Sequence, residues 1–99
     1  MANLNCDEIR STLRQHLPDL ADRFCVRSLE LFGSFVRNEN RSGSDVDLLV
    51  TFDRTPGLFR FIELENCLSD LLGRKVDLVL KDALKPAIGR QVLSEALPV

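Results

Sequence analysis

The sequence is poor in several features that define whole classes of protein. It has three cysteines, Cys6, Cys25 and Cys67, in 99 residues. They are odd in number, far apart and without a Cys-x-x-Cys pair, which argues against a disulfide framework or a thiolate zinc site and leaves reduced, packing thiols. Histidine occurs once, at His16, with no acid or nucleophile motif beside it, so it reads as a helix-surface or helix-packing residue rather than a catalyst. No apolar run reaches the roughly 18 residues that suggest a membrane span, and no basic-then-apolar leader opens the chain. The expected location is therefore the cytoplasm. A basic excess is also missing: the formal net charge is −2, which disfavours a sequence-independent nucleic-acid binder and polymerase-like action on DNA. The hydrophobic content of 44% is ordinary for a globular chain, and the length suits one domain over residues 1–99.

Against these absences stands one dense segment. In Asp45-Val46-Asp47-Leu48-Leu49-Val50-Thr51-Phe52 a short aliphatic run reads as a buried strand. Successive strand side chains alternate between faces, so Asp45 and Asp47 point together and Val46 points away. Two residues of rise separate the carboxylates by roughly 6.5 Å, within common reach of one cation. Without a cation the pair repels by about 2 to 3 kcal/mol at an effective dielectric near 20, an arrangement that function justifies more easily than folding. Hard carboxylate oxygens select Mg²⁺, with Mn²⁺ as an alternative, over zinc.

Upstream, Leu29-Glu30-Leu31-Phe32 alternates as a strand and runs into Gly33-Ser34, after which Phe35-Val36-Arg37 opens a short helical turn. Backbone N–H groups and a hydroxyl at such a turn form an anion site. Gly33 permits close backbone approach, and Ser34 can cap the turn and donate to a phosphate oxygen. The stretch from Asn38 to Ser44 has loop composition and lets the two strands pair as a hairpin. Arg37 is the favoured guanidinium for such an anion, Arg41 in the loop a weaker one, and Ser44 a further candidate contact.

A second strand, Val76-Asp77-Leu78-Val79-Leu80, nearly repeats Val46-Asp47-Leu48-Leu49-Val50. If the two are neighbours, Asp77 lies beside Asp47 at a strand spacing of about 4.8 Å. Asp45, Asp47 and Asp77 then form a three-carboxylate site suited to two metal ions.

Gly-Ser, ten residues, Asp-x-Asp and a later strand-borne aspartate together resemble the nucleotidyltransferase superfamily of DNA polymerase beta. In so short a chain the pattern is similar to the minimal nucleotidyltransferases, the antitoxin partners of HEPN-domain toxins. The resemblance implies an α+β palm-like fold and nucleotide phosphates held at Gly33 and Ser34. It also implies both metals on Asp45 and Asp47, with Asp77 binding one metal and helping to activate an acceptor hydroxyl. It further implies AMP transfer from ATP to a protein hydroxyl, a tyrosine of the HEPN partner in some members. Where the family continues with a small residue, then Arg-Gly, this chain has Val36, Arg37 and Asn38. The rival readings are an antitoxin that acts by occlusion with an idle site, and an enzyme modifying a small molecule such as an aminoglycoside. Nucleobase preference, acceptor and oligomeric state stay open.

The remaining elements are helical. Asn5 and Glu8 resemble a capping box, and Ile9, Leu13, Leu17, Leu20 and Phe24 make a helical stripe despite Pro18, near which the helix could break. Leu58, Phe61, Ile62, Leu68, Leu71 and Leu72 give a second helix stopped by Gly73, with Asp53, Glu63 and Glu65 as turn or solvated-face residues. A last helix is expected from Lys85 or Pro86 to Leu97, with Ile88, Val92, Leu93, Ala96 and Leu97 spread over more than one stripe, which leaves a stripe for another chain. The expected fold class is α+β, a small mixed sheet flanked by helices.

Overall fold

The computed structural model describes residues 5–37, 39 and 45–99. The elements run α1 (Cys6–Phe24), β1 (Val26–Phe32), a 3-10 turn (Gly33–Phe35), β2 (Val46–Phe52), α2 (Leu58–Leu72), β3 (Val76–Leu80), a second 3-10 turn (Lys81–Ala83), α3 (Pro86–Glu95) and β4 (Leu97–Pro98). They form a mixed sheet in the order β3-β2-β1-β4. β1 and β2 are antiparallel, while β2 and β3 are parallel with α2 as their crossover. The expected α+β class is what the chain adopts.

Alternation divides the sheet into two faces. Leu29, Leu31, Val46, Leu48, Val50, Val76 and Leu78 pack with Ile9, Leu13, Leu20 and Phe24 of α1 and Leu64, Leu68 and Leu72 of α2, all buried. Truncating one such leucine to alanine costs about 2 to 5 kcal/mol. The other face carries Glu30, Phe32, Asp47, Leu49, Asp77 and Val79, and α3 lies over it.

The helix ends follow local chemistry. Asn5 Oδ1 accepts from the Glu8 backbone N–H at 2.8 Å, and Asn5 Nδ2 donates to Glu8 Oε1 at 2.8 Å, so the cap is reciprocal. Pro18 does not break α1, which continues through it to Phe24. Pro18 is exposed, so the carbonyl deprived of its N–H partner sits on the watered side of the helix. Gly73 ends α2 with φ 66°. Cys25 ends α1 with φ 60°, a conformation usually left to glycine. It is exposed, whereas Cys6 and Cys67 pack against the core; only those two are packing thiols.

Three other expectations change. α2 buries Leu64, Leu68 and Leu72, leaving Leu58 71% and Ile62 42% exposed, so the core stripe is rotated from the expected one. Glu65 is not a solvated-face residue. Its Oε2 accepts from Leu78 N–H at 3.0 Å, and Ser69 Oγ accepts from Val76 N–H at 3.0 Å, so α2 side chains satisfy the free edge of β3. The last helix stops at Glu95, and Leu97 instead pairs with Leu31 in β4. The residue before a proline is driven out of the α region, and Pro98 does this to Leu97. Within α3 the side chain of Ile88 lies outside the described residues. No described helix is long and apolar enough to cross a membrane.

Candidate active site

The site assembles where β1 ends against the starts of β2 and β3. Phe32 pairs with Asp47 across the antiparallel ladder, and Asp47 pairs with Asp77 across the parallel one. Asp47 and Asp77 are therefore lateral neighbours on adjacent strands, on the face opposite the core. That juxtaposition follows from the repeated Val-Asp-Leu pattern once both strands bury the same apolar parity.

The Gly33–Phe35 turn is closed by backbone bonds. Val36 N–H and Arg37 N–H both donate to Gly33 O at 3.1 Å, and Glu39 N–H donates to Ser34 O at 2.8 Å. Buried Phe35 anchors the turn, and Val36 packs against the core, so the bulk at position 36 is absorbed inward. Gly33 has φ +80°, and a Cβ there would overlap the Asp47 carboxylate at Oδ2. The backbone of the turn and the carboxylate thus share one volume that only glycine leaves free.

Asp47 is half-buried, and its carboxyl is raised from 3.8 to about 6. Burial contributes most, the charges of Asp77 and Asp45 add to it, and Arg37 partly opposes the rise. Asp45 and Asp77 are exposed. Carboxylate oxygens from two paired strands are the donor chemistry of a hard divalent cation. Among the described residues no three Asp, Glu, His or Cys side chains already converge as metal ligands.

A cavity of about 370 Å³ opens between this sheet face and α3. Gly33, Arg37, Asp47, Asp77, Gln91 and Glu95 give it polar walls, and Phe32, Val79, Leu84 and Val92 give it apolar ones. Of the residues selected from sequence, the cavity gathers Gly33, Arg37, Asp47 and Asp77. Asp45 lies within electrostatic reach of Asp47, and Ser34 sits on the turn, but neither lines the cavity. Asn38, Arg41 and Ser44 lie outside the described residues. His16 does not line the cavity.

Two polar residues of the cavity were not selected from sequence, Gln91 and Glu95, both on α3. Glu95 accepts from Arg37 Nη1 at 3.0 Å through Oε1 and at 3.3 Å through Oε2, while Arg37 Nε donates to Glu39 at 3.2 Å. The hydrogen bond to Glu39, then that to Glu95 and its charge, hold the guanidinium firmly charged. The one local signal was that Arg37 needs a counter-ion when no nucleotide is present. Which acid supplies it depends on where α3 docks.

The nucleotidyltransferase domain family matches residues 8–99 of this chain. The chain belongs to that family. Among nucleotidyltransferase relatives, it is 50% identical to the protein adenylyltransferase MntA of Thermococcus cleftensis over 99 residues, covering all of both chains. A proposed minimal nucleotidyltransferase of known structure superimposes with a TM-score of 0.79 at 34% identity, again covering all of both chains. A toxin–antitoxin structure with AMP-PNP gives a TM-score of 0.69 at 26% identity, covering 96% of this chain and 72% of that one.

Proposed function

We propose that this chain is a cytoplasmic protein adenylyltransferase that moves AMP from ATP to a hydroxyl of a HEPN-domain toxin and thereby neutralises it. The observation that carries this reading is the lateral pairing of Asp47 with Asp77 beside the Gly33 turn, in a chain half identical to an adenylyltransferase over its full length. The toxin–antitoxin neighbour with AMP-PNP supports both the nucleotide and the kind of partner. None of these 99 residues is a tyrosine, so none of them can serve as a tyrosine acceptor.

In the proposed reaction the acceptor oxygen attacks the α-phosphorus of ATP in line. The bond from that phosphorus to the oxygen bridging the β-phosphate breaks, and pyrophosphate departs. Asp77, exposed at the mouth of the cavity, takes the hydroxyl proton as the new O–P bond forms. The Gly33–Ser34 turn and Arg37 orient the phosphates, with Ser44 as a further contact. Asp45, Asp47 and Asp77 would hold Mg²⁺, which when bound supplies charge neutralisation at the attacking and leaving oxygens.

The test is the intact mass of the HEPN-type protein from the neighbouring reading frame after incubation with this chain, ATP and Mg²⁺. AMP adducts, absent with the Asp45→Asn, Asp47→Asn double variant, are the expected result. The resting ion pairs of Arg37 favour one alternative, an antitoxin that acts by binding alone. It predicts no adduct and full neutralisation by the double variant.

A further inference from the structure

Among the described residues lining the cavity Arg37 is the one cation, where it faces Asp47, Asp77 and Glu95. Its guanidinium is already engaged through Nη1 by both oxygens of Glu95. Glu95 side-chain exposure is 20% against 44% for Arg37, so the carboxylate is the more enclosed partner. Glu95 also occupies the last position of α3, where the helix dipole disfavours an anion. Helix formation alone would not select an acid there; a carboxylate facing the phosphate-binding guanidinium has another use.

We infer, on the adenylyltransferase reading of this same cavity, that Glu95 is a stand-in anion that sets nucleotide affinity. In the free protein it holds Nη1 of Arg37 while Glu39 holds Nε, and the triphosphate of an incoming nucleotide displaces it from Nη1. A phosphate can take two guanidinium nitrogens at once and carries more charge, whereas Glu95 takes only Nη1, so the exchange runs toward nucleotide. Glu95 then remains as a like charge close to the phosphates and weakens their binding. Through the α3 end it also couples nucleotide occupancy to the segment that leads into β4. Reciprocity follows: bound nucleotide weakens the Arg37–Glu95 pair by the same factor by which the pair weakens nucleotide binding.

The experiment is calorimetric titration of Mg–AMP-PNP into the wild type, E95Q, R37Q and the R37Q/E95Q double variant at one salt concentration. E95Q is expected to bind roughly tenfold more tightly, the scale of one removed like charge at partly exposed range. R37Q should bind more weakly, and the E95Q gain should shrink in its background. With ATP and the acceptor protein, the E95Q effect should fall on KM for ATP rather than on kcat. Nucleotide-free E95Q should melt below the wild type, and saturation with Mg–AMP-PNP should remove that difference; a purely structural role for Glu95 would preserve it. Unchanged or weaker binding by E95Q overturns the inference while leaving the adenylyltransferase reading intact. Failure of the wild type and every variant to bind Mg–AMP-PNP overturns both.

Discussion

Asp47→Asn should make this protein more stable at neutral pH and less so, relative to wild type, in acid. The carboxyl titrates near 6 in the folded chain against 3.8 as its ordinary value. Below about pH 4 both states hold the proton, and the group makes no difference to stability. Between the two values the folded chain keeps a proton that the unfolded chain has lost. Above about 6 the folded chain has ionised as well, and the penalty is fully present, so stability falls as pH rises through this window. A rise from 3.8 to about 6 corresponds to about 3 kcal/mol as an upper bound. Asp47 is only partly buried, and solvent screening reduces this to about 1 to 2 kcal/mol. For a domain of this size the gain is about 4 to 15 °C in melting temperature. The assay is thermal unfolding of both proteins in EDTA at pH 4 and pH 8, read as the change in their difference. A difference that does not grow toward pH 8 would refute an electrostatically strained Asp47. Adding Mg²⁺ at pH 8 should raise the wild-type melting temperature and leave Asp47→Asn nearly unmoved.

Gly33→Ala should lower stability by about 2 to 4 kcal/mol, from the left-handed backbone and the overlap with Asp47 together. It should also abolish AMP transfer, and urea unfolding beside an adduct assay reads both effects. Asp77→Asn should keep the fold and most Mg–AMP-PNP binding while losing transfer by about 100-fold or more, measured as the rate of adduct formation; wild-type turnover would defeat the role given to Asp77. Cys25→Gly should stabilise the chain by about 0.5 to 1 kcal/mol, because the left-handed cap at φ 60° suits glycine. A lower denaturation midpoint for that variant would show that the thiol contributes something its exposed position does not suggest.

Strand alternation was sufficient to put Asp47 on the face of β2 opposite the core, and the near-repeat at Val76 was sufficient to suggest Asp77 beside it, whereas Asp45 precedes the strand and does not line the cavity. Both signals are local: a period of two, and a burial pattern common to two strands. The turn after Phe32 was legible for the same reason, since Gly33 and Ser34 are chemistry of one short segment. The amphipathic pattern around Leu64 misled because Leu58, Phe61 and Ile62 are as apolar as the leucines that point inward, and only the sheet surface chooses among them. Pro18 left the continuity of the first helix open because the effect of a proline depends on whether water reaches the carbonyl it leaves behind. Glu65 could not be recognised as the cap of β3 until β3 was known to be an edge strand.

What the sequence determined by itself is therefore the chemistry along β1, β2 and β3, because residue spacing within a strand converts directly into geometry. What only the tertiary structure decided is the other wall of the cavity. Gln91, Val92 and Glu95 reach the site through the docking of α3, and Glu95 meets Arg37 across 58 residues of sequence. Contacts of that kind depend on the packing of two surfaces, and no periodicity within either segment encodes them.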